Sequence, residues 1–313
     1  MNNIDLSVLS AEEIISLKLR SLYKRYGYSC FKMSKFEEYD LYGKNKDFLI
    51  SDSVITFTDT NGKLMALKPD VTLSIVKNSP AEPAGVTRLY YNENVYRISE
   101  STRRYKELMQ VGLECMGPIT EKEVCEVAKL AAESLKVISE DSVLTVSDLK
   151  IRQAALKNAG AGEREISAAI SAKNAGAVEK LCGACGVDKQ AEKLLTYLAL
   201  AGGSCAAVTE GLKNVTSDIE ILAAADALDK VCRAAEETGV TVRADFSLTG
   251  DINYYNGVVF KGYVKGVPAG ILSGGQYDGL MAKMNKKSGA VGFAVYADLL
   301  ERVGARGADN GKE

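Results

Sequence analysis

Residues 96–114 of the chain read YRISESTRRYKELMQVGLE. Two strand-like stretches, 94–98 and 108–115, lie on either side of a polar, basic segment here, which is the pattern of two strands linked as a hairpin. Gln110 and Glu114 are four residues apart and therefore fall on the same face of the second strand. Glu114 alone would be an outward charge on a half-exposed strand. With Gln110 on the same face, we interpret this face as the wall of a polar pocket.

Further strand and helix signals lie on both sides of this region. The dipeptide Asn61-Gly62 between two strand-like stretches is a strong signal for a hairpin turn. The remaining strand-like stretches are 54–60, 63–67, 87–91, 143–146, 254–263, 267–272 and 290–296. Helices are predicted after three capping boxes, which begin at Ser10, Thr120 and Ser217. Hairpin-linked strands with helices at one side predict an α+β fold with an antiparallel sheet.

The chain changes character between residues 149 and 238. That segment is rich in alanine, contains no proline and repeats helix-length stretches broken by glycines. We interpret it as a helical insertion. We therefore expect residues 1–148 to form the N-terminal part of a core, 149–238 to form the insertion, and 239–313 to form the C-terminal part of the core. One sheet would then be built from both ends of the chain.

The bulk composition is that of an ordinary globular protein. Of the 313 residues, 46% are hydrophobic and 26% are charged, and no apolar run is long enough to span a membrane. The 39 basic and 41 acidic residues nearly cancel, whereas nucleic-acid-binding domains usually carry a basic excess. The N-terminal residues also lack the layout of a signal peptide. These features predict a cytoplasmic protein that uses neither a membrane nor tRNA as a partner.

The residue types that dominate catalysis and metal binding are scarce. The sequence contains no histidine, which excludes Ser-His-Asp and Cys-His mechanisms. Its seven cysteines are scattered, and only Cys182 and Cys185 have the spacing of a redox or metal pair. No second pair completes a zinc site. We expect incidental buried thiols, no metal and no cofactor.

Four stretches, read in order, resemble the catalytic core of class II histidyl-tRNA synthetases. Residues 67–72 are similar to that family's Arg-Pro-Glu-Gly-Thr, and residues 96–114 resemble class II motif 2 together with the family's Gln-x-Gly-x-Glu. Residues 250–257 stand where the family has Arg-Gly-Leu-Asp-Tyr-Tyr-Thr-Gly, and residues 273–280 are close to Gly-Gly-Arg-Tyr-Asp. Residues 290–300 follow as a counterpart of motif 3. The resemblance implies a class II synthetase-like sheet flanked by helices.

The resemblance also implies a pocket for histidine. The histidine-binding residues that it implies are Asp70, Thr72, Gln110, Glu114, Tyr254, Tyr255 and Tyr277. The first three would surround the α-ammonium group. Glu114 and Tyr255 would meet the imidazole ring, and Tyr277 would help to close the pocket. A carboxylate and a phenol suit a ring that offers both a donor and an acceptor nitrogen.

Several departures from the family's pattern fall on groups that face ATP. Gly250 aligns with an arginine, and Asp298-Leu299 aligns with the Glu-Arg pair of motif 3 that holds ATP. Gln276 replaces the arginine of Gly-Gly-Arg-Tyr-Asp. Each such group in a dry site contributes about 3–4 kcal/mol to transition-state stabilisation, so the changes at Gly250 and Leu299 should abolish adenylation. Arg97 is left either as a relic of the ATP site or as a structural ion-pair residue.

A synthetase fold that keeps its histidine pocket but lacks ATP chemistry resembles the regulatory subunits of ATP phosphoribosyltransferase, the first enzyme of histidine biosynthesis. The sequence also ends shortly after the motif 3 counterpart, so we expect no anticodon-binding domain and no tRNA partner. The resemblance implies a non-catalytic subunit that activates a short-form catalytic subunit. It implies a self-dimer within a hetero-octamer, with L-histidine bound for feedback inhibition.

Two other hypotheses stay open at this point. The chain could be an active class II amino-acid ligase that uses displaced cations, such as Arg103 or Lys106, and it would then catalyse ATP-dependent pyrophosphate exchange. It could also be a synthetase-derived amino-acid sensor of another pathway. That sensor would bind an amino acid without affecting ATP phosphoribosyltransferase.

Overall fold

The computed structural model describes residues 8–49, 54–99, 102–157, 159–249 and 255–300. Within these ranges the strands form one nine-stranded sheet and one three-stranded sheet. The strands are β1 (Ser29–Cys30), β2 (Phe36–Glu38), β3 (Thr56–Thr58), β4 (Leu64–Leu67), β5 (Thr87–Ile98), β6 (Tyr105–Gly117), β7 (Ser142–Asp148), β8 (Gly202–Gly203), β9 (Thr241–Asp245), β10 (Val258–Val264), β11 (Leu272–Gln276) and β12 (Gly289–Tyr296).

The helices of the described ranges lie on both sides of the large sheet and form most of the segment between β7 and β9. They are α1 (Ala11–Arg25), α2 (Tyr39–Gly43), α3 (Thr72–Asn78), α4 (Glu121–Ile138), α5 (Leu149–Leu156), α6 (Glu163–Ser171), α7 (Ala175–Cys185), α8 (Lys189–Leu200), α9 (Cys205–Val215), α10 (Ile219–Glu236) and α11 (Asp278–Lys283). Within the described ranges, none of the helices has the length and apolar character needed to cross a membrane.

The large sheet is built from both ends of the chain. Its strand order is β1-β5-β6-β12-β11-β10-β7-β9-β8, so the late strands β10 to β12 lie between the early strands β6 and β7. All pairings are antiparallel except β1 with β5 and β7 with β9. The smaller sheet has the order β2-β4-β3. The predicted α+β fold with a mainly antiparallel sheet is therefore confirmed.

Alternating residues of β12 show how the large sheet divides the molecule. Phe293 points to the helical face, where its ring centroid lies 5.9 Å from that of Tyr23 in α1. This face is covered by α1, α4 and α10 and holds the larger apolar core. Gly292, Ala294 and Tyr296 line the opposite face. A second core on that side joins the small sheet, α3 and α11.

The helical segment after β7 is tied to the large sheet by a buried arginine. Arg152 of α5 is only 4% exposed, and it donates to Phe246 O at 3.2 Å, just beyond β9. It also donates to Ser167 Oγ at 2.8 Å and to Ser171 Oγ at 2.7 Å, both in α6. Burial among these neutral acceptors lowers the pKa of Arg152 to about 10. The division of the chain at residues 148 and 238 stays a prediction.

The helix starts agree with two of the three predicted capping boxes. Ser10 and Glu13 hold a reciprocal box at α1, and the Glu123 carboxylate accepts from Thr120 N at 3.0 Å at the start of α4. The third box was wrong by one residue. Asp218, rather than Ser217, caps α10 and accepts from the backbone N–H of residues 220 and 221 at 2.8 and 3.2 Å. The Asp218 carboxylate is the stronger acceptor because it is charged.

Two strand predictions also differ from the structure. The hairpin at Asn61-Gly62 is confirmed, but its strands β3 and β4 are shorter than predicted because Asp59 Oδ1 accepts from the N–H groups of both Asn61 and Lys63 at 2.8 Å. The strand predicted over 267–272 is wrong, since β11 begins only at Leu272. A turn precedes it, with Gly266 at φ +83°, and Pro268 cannot donate to a ladder.

Replacing the cap of α10 tests this assignment. Asp218→Ala should lower the free energy of unfolding by about 1 kcal/mol, because two N–H groups lose their acceptor. Ser217→Ala, on the neighbouring exposed residue, should change it by less than about 0.5 kcal/mol. Urea unfolding followed by circular dichroism measures both. Equal losses in the two variants would contradict the corrected cap.

Candidate amino-acid site

A cavity of about 460 Å³ lies over the middle of the large sheet, on the face opposite α1 and α4. Strands β6, β10, β11 and β12 form its floor, and residues before α3 and after β9 form parts of its walls. Its lining consists of Asp70, Thr72, Tyr91, Arg97, Gln110, Glu114, Ser247, Leu248, Thr249, Tyr255, Val259, Phe260, Lys261, Ser273, Gly274, Tyr277, Gly292, Phe293, Ala294 and Tyr296.

Glu114 is the most deeply buried carboxyl group of this cavity. Its residue is 2% exposed, and two hydroxyl groups donate to it. Thr72 Oγ1 donates to Oε1 at 2.7 Å, and Tyr277 OH donates to Oε2 at 2.6 Å. The elements that meet here come from distant parts of the chain, namely the start of α3, β6 and the residue before α11. The carboxyl group is therefore fixed in position by the fold.

Burial dominates the electrostatics of Glu114. It raises the pKa of this carboxyl group from 4.5 to about 8, because the charged form loses its hydration. The hydrogen bonds from Tyr277 and Thr72 favour the charged form and offset part of this effect, while the nearby carboxylate of Asp70 raises the pKa further. With this pKa, Glu114 is largely protonated at neutral pH.

The glycine at position 292 makes room for the Glu114 carboxyl group. The two residues are direct partners across β6 and β12. A Cβ atom on Gly292 would lie 1.8 Å from Glu114 Oε2 and 2.5 Å from Leu113 O. Because a backbone oxygen in a sheet cannot move aside, any side chain at this position would displace the carboxyl group.

Asp70 and Arg97 form the polar end of the wall that precedes α3. Asp70 Oδ1 accepts from Leu73 N at 2.9 Å, and Arg97 Nε donates to Pro69 O at 3.0 Å. Burial raises the pKa of Asp70, while its hydrogen bond from Leu73 N and the positive charge of Arg97 act in the opposite direction. The segment is also held by the fully buried Lys68, whose Nζ lies 2.5 Å from Glu93 Oε2.

Two half-buried tyrosines narrow the cavity. A Cβ atom on Gly275 would lie 2.8 Å from Cδ1 of Tyr255, so this ring rests directly on the backbone of β11. Tyr296 is the direct partner of Gln110 across β12 and β6. Burial raises the pKa of both phenols, which keeps them protonated and able to donate.

The predicted site residues within the described ranges come together at this cavity. Those that line it are Asp70, Thr72, Gln110, Glu114, Tyr255, Tyr277 and the suspected relic Arg97. Tyr254 and Gly250 lie outside the described residues. Leu299 does not line the cavity and packs against the helical core instead. The assignment of these residues to histidine stays a prediction.

Sequence reasoning missed one charged residue of the cavity. Lys261 lines it from β10, in the otherwise apolar stretch Val258–Val264. A lone lysine within a buried apolar strand is rare, because an unpaired buried charge is costly. That composition was a signal that could have been used. Tyr91 and Ser273 were missed too, and their residue types carry no comparable signal.

Other candidate groups do not join the cavity. Arg103 and Lys106, the displaced cations of the ligase hypothesis, are exposed near the β5–β6 turn and do not line the cavity. Cys182 is buried but Cys185 and Cys30 are exposed, so the expectation of buried thiols was wrong for these two residues. Among the described residues, no group of three or more His, Cys, Asp or Glu side chains is arranged to hold a metal ion.

The large sheet and this cavity define a class II aminoacyl-tRNA synthetase-like protein, and the sequence model of the histidyl-tRNA synthetase family matches residues 4–300. The chain belongs to that family. It is 30% identical over 296 residues to the ATP phosphoribosyltransferase regulatory subunit of Clostridium novyi, and the match covers 91% of this chain and 70% of the relative. Within the family, the chain is thus a member of the ATP phosphoribosyltransferase regulatory subunits, as its motifs predicted.

Solved structures agree with the fold. A Bacillus halodurans structure described as an ATP phosphoribosyltransferase regulatory subunit/histidyl-tRNA synthetase superposes with a TM-score of 0.81 at 23% identity, over 94% of this chain and 79% of the other. A chain of an ATP phosphoribosyl transferase (HisG:HisZ) complex from Thermotoga maritima gives a TM-score of 0.71 at 20% identity, over 95% and 98%. At these identities the similarity concerns the fold alone.

The pKa of Glu114 predicts how stability depends on pH. Between pH 4.5 and about 8, the folded chain holds a proton on Glu114 that the unfolded chain has lost. The free energy of unfolding should therefore fall as the pH rises through this window and lose this dependence above it. Glu114→Gln, which imitates the protonated acid, should reduce the slope of the free energy of unfolding against pH by up to about 1.4 kcal/mol per pH unit.

Thermal unfolding of both proteins at several pH values between 4.5 and 8 measures the difference. The wild-type midpoint should decline relative to that of Glu114→Gln as the pH rises. Parallel curves would mean that Glu114 is ionised in the folded chain.

Proposed function

We propose that this regulatory subunit binds L-histidine in the cavity and thereby controls a catalytic ATP phosphoribosyltransferase subunit. One observation carries the proposal, namely the buried carboxyl group of Glu114, held by the Thr72 and Tyr277 hydroxyls above Gly292. A buried carboxyl group with a raised pKa at the wall of a cavity is a feature of many ligand-binding sites. A basic ring is the ligand that it suits.

The chemistry of imidazole matches this end of the cavity. With its usual pKa of about 6.5, a histidine ring is mostly neutral at pH 7. Glu114, which has a pKa of about 8, holds its proton more tightly than this ring does, so on binding it would donate a hydrogen bond to the unprotonated ring nitrogen. Thr72 and Tyr277 would hold the carboxyl group in position for this bond through the hydrogen bonds that they already make. The Tyr255 hydroxyl would form a hydrogen bond with the second ring nitrogen.

The amino end of the ligand has acceptors close by. Asp70 lines the same wall as Thr72. The amide of Gln110 lies on the same face of β6 as Glu114, four residues earlier. The Thr72 hydroxyl donates to Glu114, so its oxygen lone pairs remain available to an ammonium group. Asp70 would supply the charge, while Gln110 would accept a hydrogen bond.

The groups at the synthetase ATP positions support a role without adenylation. Gln276 stands where the family has an arginine, and its Nε2 donates to Asp278 Oδ2 at 2.7 Å. Leu299 packs into the helical core. Position 250 carries glycine, which has no side chain to reach a phosphate. Neither aminoacyl-adenylate formation nor tRNA charging fits these substitutions.

The proposed partner is a short-form catalytic subunit of ATP phosphoribosyltransferase, with this chain as a self-dimer inside a hetero-octamer. The Thermotoga maritima structure, a complex of this enzyme with a chain of the same fold, supports the pairing. Feedback inhibition would follow if histidine binds one arrangement of the complex more tightly than the other. The ligand can shift the equilibrium only by that difference in affinity.

Calorimetric titration tests the site directly. We expect the wild-type chain to bind L-histidine, to bind neither ATP nor other amino acids comparably, and to catalyse no histidine-dependent pyrophosphate exchange. Glu114→Ala should weaken histidine binding by about 10- to 100-fold, which corresponds to the cost of about 1–3 kcal/mol for leaving a buried ring nitrogen without its hydrogen-bond partner. Gly292→Ala should have a similar effect because its methyl group displaces the same carboxyl group.

Glu107→Ala is the matched control, since this glutamate lies on the same strand but is exposed. It should leave the affinity for histidine unchanged. ATP binding together with pyrophosphate exchange would overturn the regulatory proposal in favour of the ligase. Binding of histidine without any effect on a short-form transferase would favour the sensor of another pathway.

The affinity for histidine should also depend on pH in a bell-shaped manner. Below about pH 6.5 the free ring is already protonated and the complex must release a proton. Above about pH 8 free Glu114 has lost its proton and the complex must take one up. Binding should be tightest between these limits. In Glu114→Gln the loss of affinity above pH 8 that is due to this group should disappear, which calorimetry across the range would reveal.

A further inference from the structure

The proposed histidine site leaves one charged group of the ligand without a partner. The ring faces Glu114 and the ammonium group faces Asp70 and Gln110, but the α-carboxylate needs a cation or several donors. Two cationic side chains line the cavity within the described ranges, Arg97 and Lys261.

Arg97 already contacts the segment that precedes α3. Its Nε donates to Pro69 O at 3.0 Å, and its charge acts on Asp70 and Tyr296. It therefore balances the buried Asp70 carboxylate next to the ammonium end of the ligand. A second anion at this point would compete with Asp70.

Lys261 is in a different situation. In the described part of the chain no carboxylate lies within 4.0 Å of its ammonium group, although the side chain is half-buried. Its Nζ lies 6.0 Å from the ring centroid of Tyr263, at the outer limit of a cation–π contact. A half-buried ammonium group without an ionic partner favours an anionic ligand.

The backbone around Lys261 accommodates its long side chain. A Cβ atom on Gly270 would lie 2.3 Å from Lys261 Cε and 2.9 Å from its Cγ, so the aliphatic part of the lysine runs along bare backbone. On its other side, Lys261 is the direct partner of Ser273, which pairs in turn with Ala294. Small residues therefore separate Lys261 from Gln110 and Glu114 on β6.

The position of Lys261 in the sheet suits the far end of an amino acid. Glu114 is on β6 and Lys261 is on β10, three strands away across β12 and β11. With strands about 4.8 Å apart and an offset of two residues along the strands, the two backbones are roughly 16 Å apart. Two long side chains that line one cavity from these positions leave space for a ligand between them. The ligand would lie across the strands, with its ring over β6 and its carboxylate toward β10.

We infer that the ammonium group of Lys261 is the carboxylate subsite of this cavity. The inference rests on the proposed function, because it assigns one more group of the same ligand. It makes Lys261 a residue that distinguishes a free amino acid from its reduced or amidated relatives.

Combining variants of the protein with variants of the ligand tests this assignment. The comparison between ligands separates the loss of a carboxylate contact from a general defect in folding. Wild-type, Lys261→Met and Lys261→Arg chains are titrated by calorimetry with L-histidine, L-histidinol and L-histidinamide, of which only the first carries a carboxylate. Lys261→Met should weaken histidine binding by about 10- to 100-fold and leave the binding of the other two within about twofold. Lys261→Arg should restore most of the affinity for histidine.

Lys265→Met is the matched control, because Lys265 follows the same strand but is exposed and pairs with Asp141. It should behave as wild type with all three ligands. Equal weakening of all three by Lys261→Met, or no weakening of any, would overturn the inference while leaving histidine binding in place. The carboxylate-dependent loss appearing in Arg97→Met instead would overturn it as well. Failure of wild type to bind histidine would reject the proposed function itself.

Discussion

The site depends on one carboxyl group being held in a place where water cannot hydrate it. Glu114 lies on β6 against the bare backbone of Gly292, and hydroxyls from two other elements, Thr72 and Tyr277, donate to it. Each of these contacts joins distant parts of the chain. The interleaving of late strands between early ones in the sheet is what makes them possible. The fold and the chemistry of the cavity are thus linked at this residue.

The same arrangement explains how a synthetase fold serves regulation. An enzyme that activates an amino acid must bind a polyphosphate next to it and stabilise charge on the transferred group. A sensor needs only the part of the site that binds the amino acid. In the proposed function, the amino-acid-binding half occupies β6, the start of α3 and the approach to α11. Of the positions at which synthetases hold ATP, Leu299 packs against the helical core and Gln276 donates to Asp278.

Local patterns were sufficient to predict part of this site. Gln110 and Glu114 were placed on one strand face by their spacing alone, and the helix starts at Ser10 and Thr120 followed from their capping residues. The cap at Asp218 was missed because Ser217 fits the same motif one residue earlier. The strand over 267–272 was wrong because a turn at Gly266 delays it. The long-range register escaped this reasoning. Gly292 is informative only once Glu114 is known to face it, and Lys261 only once β10 is known to border the cavity.

The buried Arg152 has a mechanical consequence for the cavity. It bonds the carbonyl group of Phe246, and the next three residues, 247–249, form part of the cavity wall. It also donates hydrogen bonds to Ser167 and Ser171 of α6. Movement of this wall must therefore break several bonds to one guanidinium group or carry α5 and α6 along. Arg152 therefore couples the position of this part of the cavity wall to that of α5 and α6.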